Sequence, residues 1–133
     1  MDPGQTRAEI EELAKEWLDA ASQTAAEVAS KADVIFTMVP DTPDVQKVLF
    51  GEGGIASALT KGKTVIDMSS ISPIETKEFA KQIEATGADW LDAPVSGGEV
   101  GAKAASLTIM VGGKDEVFAR VQPLLALMGK NIT

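Results

Sequence analysis

The stretch DVIFTMVP, residues 33–40, decides the fold class of this chain. From Asp33 to Val39 it is a nearly continuous run of apolar and β-branched residues, and Pro40 stops it. Such a run is typical of a strand covered on both faces, as in a parallel sheet. The stretch therefore predicts a buried strand in an α/β protein.

Helix and strand patterns alternate on both sides of this strand. Capping-box spacings at Thr6 and Thr24 predict helices over 6–20 and up to Lys31. Further strands are predicted over 64–68, 88–93, 107–111 and from 130 onwards, with helices from Thr42 to Phe50, from Ser72 to Thr86 and over 115–128. This alternation predicts a mostly parallel, helix-covered sheet.

Capping residues predict where the helices begin and end. Thr42 is the candidate cap of its helix, and Gly51 suits a left-handed exit. Ser72 is the candidate cap of the next helix, with Pro73 at its first position. Gly129 is expected to close the last helix.

Composition excludes several classes of function. A net charge of -8 argues against a nucleic acid or an anionic membrane as partner. The absence of cysteine and histidine excludes disulfides, thiolate or imidazole metal sites and histidine-based catalysis. No apolar run is long enough to span a bilayer, and the start has no export signal. We therefore expect a cytoplasmic, metal-free, single-domain protein of 133 residues.

Residues 51–56, GEGGIA, match the G-x-G-x-x-A form of the dinucleotide-binding fingerprint. The fingerprint requires a strand that leads into the glycines and a helix that follows them. Here the glycines follow a predicted helix, and no acidic residue lies at a strand end about 20 residues later. We interpret this segment as a surface turn.

The segment DAPVSGGEVGA, residues 92–102, carries the candidate chemistry. Ser96, Gly97 and Gly98 follow a predicted strand and offer a hydroxyl and unobstructed backbone N–H groups. Such a concave set of donors suits a small carboxylate. A plain glycine turn between two strands explains the same residues equally well, and composition alone leaves both readings open.

This segment, with LTIMVGG at 107–113, ADVIFTMVPDTP at 32–43 and KTVIDMSSISPIET at 63–76, resembles the β-hydroxyacid dehydrogenases. That family includes 3-hydroxyisobutyrate dehydrogenase and tartronate semialdehyde (2-hydroxy-3-oxopropionate) reductase, and DMSSISP at 67–73 is most similar to the latter. The resemblance implies a Rossmann-like fold and the NAD(P)H-dependent reduction of a small aldehyde acid.

The resemblance also assigns roles to particular residues. It implies that Val39, Pro40, Asp44 and Ser70 bind NAD or NADP. It implies that the segment 96–98, with Ser96, Gly97 and Gly98, holds the carboxylate of the substrate. Alone, these residues would be interpreted as a strand-ending proline, a serine near a cap and a turn.

In the family, a glycine-rich strand and loop precede the matching region, and the catalytic lysine follows it on a long helix. The resemblance therefore implies that residues 1–133 are a partial NAD(P)-binding domain, truncated at both ends and missing the first βαβ unit. No lysine here matches the catalytic motif, so none is assigned as catalytic. We expect weak or no cofactor binding and little turnover from the isolated chain.

Two departures from the family lead to further expectations. The strand over 33–39 would lie beside the missing first strand, which predicts an open sheet edge, self-association and a homo-oligomer. A non-catalytic module that associates through this edge is the alternative function. Ala105 stands where the family usually has glycine, so a positive φ there would cost about 1 kcal/mol.

Overall fold

The computed structural model describes residues 24–133 together with Ala8, Glu9, Glu12 and Lys15. The helices are α1 (Ala25–Lys31), α2 (Thr42–Phe50), α3 (Pro73–Glu84), α4 (Gly98–Lys103) and α5 (Asp115–Leu125), with a 3-10 turn at Ile55–Ala58. The strands are β1 (Val34–Thr37), β2 (Thr64–Asp67), β3 (Asp89–Asp92), β4 (Val95–Ser96), β5 (Leu107–Ile109) and β6 (Gly129–Ile132). Most of the predicted helix at 6–20 lies outside the described residues, of which the four isolated ones are helical and exposed.

The strands form one parallel group and one mixed group. In the first, β1, β2 and β3 are parallel neighbours in that order. In the second, β5 is antiparallel to β4 and parallel to β6. Asp92 and Gly112 join the groups by exchanging two backbone hydrogen bonds of 3.0 and 2.7 Å. The predicted mostly parallel, helix-covered sheet of a Rossmann-like fold is confirmed.

The alternation of strand residues divides the core into two layers. On one face, Ile35, Val65 and Trp90 pack with residues of α1, α2 and α3. On the other face, Ile66 and Leu91 pack with residues of α5. Helices therefore cover both sides of β2 and β3, as in other α/β sheets.

The prediction that the first strand is covered on both faces is wrong among the described residues. Ile35 is 3% exposed, whereas Phe36 is 39% and Met38 64% exposed. Phe36 is in register with Ile66 and lies on the same face of the sheet. The helix on that face, α5, packs over β3 instead of β1. An apolar run alone does not reveal how far a helix reaches across the sheet.

Two predicted helix boundaries need correction. The cap of α2 is Asp41 rather than Thr42: its side chain accepts a hydrogen bond of 2.7 Å from Thr42 N, and Asp44 completes a capping box. Gly51 has a φ of -71°, so its exit is not left-handed. A Cβ there would lie 2.6 Å from Lys47 O, which indicates that this glycine is needed for space.

The structure differs from the sequence predictions at three further places along the chain. Ser72 precedes α3, but its side chain makes no capping hydrogen bond. The stretch between β3 and β5 contains α4, a short helix that the glycine-rich sequence did not indicate. Gly129 belongs to β6 instead of ending α5, and the predicted terminal strand is confirmed.

Candidate functional site

A chain of hydrogen bonds links the carboxyl ends of β1 and β2. The Thr37 hydroxyl donates to Asp67 Oδ1 at 2.8 Å, and the Ser69 amide donates to the same oxygen at 3.2 Å. Ser69 Oγ in turn accepts a 2.9 Å hydrogen bond from the amide of Val39. Because Thr37, Asp67 and Ser69 are buried, this network sets the spacing of the two loops that follow the strands.

A second carboxylate, Asp92, lies beside this network. It is in register with Asp67 on the neighbouring parallel strand, so both side chains project from the same face. Burial and, to a smaller extent, the charge of Asp67 together raise the pKa of Asp92 to about 6. Among the residues that the structure describes, Asp67 Oδ2 is buried without a hydrogen-bond partner. The ionised forms of Asp67 and Asp92 therefore disfavour each other at this end of the sheet.

The residues proposed for the cofactor lie partly together. Val39, Pro40 and Asp44 line a cleft of about 410 Å³ between α1, the end of β1 and α2. Ala25 and Val48 add apolar walls to this cleft. Ligands in open α/β sheets lie at the carboxyl ends of strands, and this cleft has that position.

Asp44 has a structural role that the sequence interpretation missed. Its Oδ2 accepts a hydrogen bond of 3.1 Å from the amide of Asp41, as part of the capping box. Its Oδ1 has no partner among the described residues and is available to a ligand. Asp44 can therefore stabilise α2 and face the cleft at once.

Ser69 and Ser70 differ although they are adjacent. Ser69 is 2% exposed and bonded to the β1 loop, whereas Ser70 is exposed and does not line the cleft. The family resemblance pointed to Ser70, whereas the buried network of Thr37, Asp67 and Ser69 was not predicted from the sequence. The available signal was a single carboxylate at the end of an otherwise apolar strand, since such a group needs buried donors.

The 96–98 loop is the exposed junction of β4 and α4, where Ser96 ends β4, Gly97 follows it and Gly98 begins α4. Gly97 has a φ of 131° and Gly98 a φ of 59°, which are conformations that favour glycine. Within residues 24–133, the amides of both glycines donate no hydrogen bond. A Cβ on Gly98 would meet nothing within 4 Å. The loop therefore presents free donors to an open space.

The cleft and this loop do not share a lining residue. Ser70 follows β2, whereas residues 96–98 lie where β4 meets α4, and neither lines the cleft around Val39. The segment 51–54 forms a turn after α2, as the sequence interpretation proposed. Its Gly53 and Gly54 line the far side of the cleft, which the sequence did not indicate.

Comparisons with known proteins agree with this architecture. Residues 4–133 match the family described as the NAD binding domain of 6-phosphogluconate dehydrogenase. The chain is 62% identical over 111 residues to 2-hydroxy-3-oxopropionate reductase of Escherichia coli K12, which covers 84% of this chain and 38% of that protein. Because the chain spans well under half the length of this relative, the activity of the whole relative does not transfer directly.

Two solved structures have the same fold. 3-Hydroxyisobutyrate dehydrogenase of Mycobacterium tuberculosis, solved with L-serine, is 36% identical with a TM-score of 0.78 over 86% of this chain and 38% of that chain. A protein named Psf3, in complex with NADP+ and 2-OPP, is 27% identical with a TM-score of 0.81 over 92% of this chain and 45% of that chain.

Proposed function

Since this chain belongs to the family of the NAD binding domain of 6-phosphogluconate dehydrogenase, we propose that it is the cofactor-binding part of an NAD(P)-dependent oxidoreductase. The reaction is the reduction of tartronate semialdehyde, or a similar small aldehyde acid, to the hydroxyacid. The 62% identity to the E. coli reductase supports this substrate class. The observation that carries the proposal is the network that holds the Val39 and Ser69 loops together at the strand ends.

The cleft beside Val39 fits one half of a dinucleotide. Its volume of about 410 Å³ is within the usual range for small-molecule sites, and its walls are largely aliphatic. Asp44 Oδ1 is a free acceptor for ribose hydroxyls, and Lys47 in the same lining is a cation for a phosphate. In this proposal, Pro40 and Ser70 border the nicotinamide, and the cofactor supplies the hydride chemistry.

The substrate carboxylate is proposed to bind at residues 96–98. The hydroxyl of Ser96 and the amides of Gly97 and Gly98 are donors of the kind that a carboxylate needs. The positive φ of both glycines turns these amides in a direction that other residues rarely allow. The oligomeric state and the cytoplasmic location stay predictions; among the described residues, no helix is long and apolar enough to cross a membrane.

Amide chemical shifts in two-dimensional NMR test both parts separately. NADPH or NADH at millimolar concentration is expected to shift the amides of Val39 and Ser70, weakly but with saturation. D-glycerate, a hydroxyacid product of this class, is expected to shift residues 96–98. Ser96→Ala should abolish the D-glycerate shifts. Ser106→Ala, in the segment that joins β4 to β5, is the control and should not abolish them. Shifts that are absent, or that map elsewhere, would contradict the proposal.

A second function, self-association through the edge of β1, is favoured by the backbone pattern. Thr64 N donates to Asp33 O, and Met68 N donates to Thr37 O. The backbone N–H and C=O groups of the odd-numbered residues in this strand therefore point towards β2. In a parallel strand, the amides of Val34 and Phe36 then point away from the sheet. They have no partner within the described part of the chain. An edge of this kind is a template for another strand.

Light scattering after size exclusion tests this second function. The chain is expected to show a mass that rises with concentration, and Phe36→Lys should reduce it to the monomer mass. Val100→Lys is the control because Val100 is 80% exposed and lies in α4, away from this edge. A monomer at every concentration would refute edge association and leave the reductase proposal intact.

A further inference from the structure

A second cavity, of about 370 Å³, lies on the face of the sheet that α3 covers. Its walls are α3, the residues Trp90 and Asp92 of β3, and the segment 112–114. None of the residues proposed for cofactor or substrate lines it. The cavity is therefore separate from the proposed cofactor and substrate sites.

Trp90 lines this cavity and carries a buried indole N–H. The residue is 6% exposed and lines the cavity, yet its Nε1 is buried and has no hydrogen-bond partner in the described part of the chain. Buried donors without an acceptor are rare in folded proteins, because burial removes the water that would otherwise bind them. In the free protein Nε1 is shielded from water, so a ligand reaches it only when the indole turns towards the cavity.

The charges around the cavity leave one cation unpaired. Lys114 is paired with Glu84 at 3.5 Å, and both line the cavity. Lys77 also lines it and has no ion-pair partner among the described residues. The carboxylates of Glu84 and Asp92 in the same lining repel a ligand with several negative charges. This arrangement favours a single negative charge placed near Lys77.

We propose that this cavity binds a small carboxylate with a compact apolar body. The carboxylate accepts hydrogen bonds from the ammonium of Lys77 and the indole N–H of Trp90. The apolar body lies against Pro73 and Ala80, which line the α3 side. A volume of about 370 Å³ accommodates a molecule of this size and is within the usual range for small-molecule sites.

The probe that tests this proposal is 4-methylpentanoate, which has one carboxylate and a branched apolar body. The chain contains two tryptophans, so Trp17→Phe leaves Trp90 as the only indole reporter. We expect saturable quenching of Trp90 fluorescence and a downfield shift of its indole N–H resonance. The neutral alcohol 4-methylpentanol should bind about tenfold more weakly, because it lacks the charge that Lys77 attracts.

Matched variants separate a specific site from general binding. Lys77→Met should weaken 4-methylpentanoate binding about tenfold. Lys81→Met removes the same charge one turn further along α3, outside the cavity lining, and should leave the affinity unchanged. Trp90→Phe should keep the fold, since it removes an unsatisfied donor, while also weakening binding.

Several results would overturn the proposal. These are the absence of saturable binding, equal affinity for the alcohol, and equal losses in Lys77→Met and Lys81→Met. Shifts at residues 96–98 in place of Thr76, Gly112 and the Trp90 indole would also overturn it, because they would assign the carboxylate to the substrate loop. Failure here leaves the reductase proposal standing, since the two use different residues.

Discussion

The loops at 51–54 and 96–98 are both glycine-rich, yet Gly54 in the first and Gly98 in the second have opposite roles. Gly54 is buried, and a Cβ there would lie 2.7 Å from Leu49 O and 2.8 Å from Gly51 O. Gly98 is exposed with a φ of 59°, and a Cβ there would meet nothing within 4 Å. Gly54 is needed because backbone atoms occupy the space that a side chain would fill. Gly98 is needed because its backbone conformation is one that other residues rarely adopt.

This difference separates a structural turn from a candidate binding loop. Where a glycine is surrounded by backbone, the chain itself occupies the space that a side chain would fill. Where a glycine has a positive φ and open space, its amide is presented outwards and a ligand can approach it. Substitutions at each loop can therefore test the comparison, from the largest expected effect to the smallest.

Gly54→Ala should cause the largest loss of stability. The new Cβ would collide with two backbone oxygens that cannot move independently, at a cost of about 3 kcal/mol in the free energy of unfolding. Thermal unfolding should show a decrease in Tm of about 10 °C. Gly53→Ala is the control: alanine at its φ of 70° should cost only about 1 kcal/mol, since its Cβ would have an ordinary contact with Thr24 at 3.5 Å. Equal losses in the two variants would contradict the spatial role of Gly54.

Gly98→Ala should cost about 1 kcal/mol, because alanine is strained at a φ of 59° although there is space for its methyl group. Gly62 is a matched control: its φ is 95°, and a Cβ there would also meet nothing within 4 Å. Urea unfolding should give similar losses for both alanine variants. Only Gly98→Ala should weaken D-glycerate binding, and an equal effect of Gly62→Ala would remove the functional distinction.

The strand that leads to the second loop should also carry a pH dependence. The pKa of Asp92 is about 6 in the folded chain, above its ordinary value of 3.8. The folded state therefore holds this proton more tightly than the unfolded state. Its stabilising contribution is complete below pH 3.8 and is lost as pH rises through about 6.

Asp92→Asn should flatten this part of the stability profile and raise stability at pH 7 relative to the parent. Urea unfolding between pH 4 and pH 7 measures the effect. Asp115→Asn, at an exposed position in the first turn of α5, serves as the control and should leave the profile unchanged. The raised pKa would be contradicted if the free energy of unfolding of the parent did not fall between pH 4 and pH 7, or if the parent and Asp92→Asn had parallel profiles.

The smallest effect, and one of opposite sign, is expected at Ala105. This is the non-glycine residue with a positive φ, at 52°, within the described part of the chain. Ala105→Gly should relieve strain but increase the entropy of the unfolded chain, for a net gain of about 0.5 kcal/mol. Differential scanning calorimetry detects such a change. A loss of stability would show that the loop has adapted to alanine.

Local sequence patterns predicted most of the elements because each one reports a short-range interaction. The Thr24 cap, the buried β2 strand and the terminal β6 strand all depend on neighbouring residues, and all are confirmed. The short helix α4 was missed because glycine has low helix propensity, and tertiary packing stabilises it instead. The exposure of Phe36 was missed because it depends on which helix lies above the strand.

The candidate site shows the same division. The sequence alone determined the α/β class, the order of the elements other than β4 and α4, and the position of residues 96–98 after a strand, since these follow from periodicity and family motifs. Only the tertiary structure decided that Ser69 is bonded to Val39 while Ser70 is exposed, and that the indole N–H of Trp90 has no acceptor among the described residues. Those facts depend on contacts between residues far apart in the chain, and no local pattern encodes them.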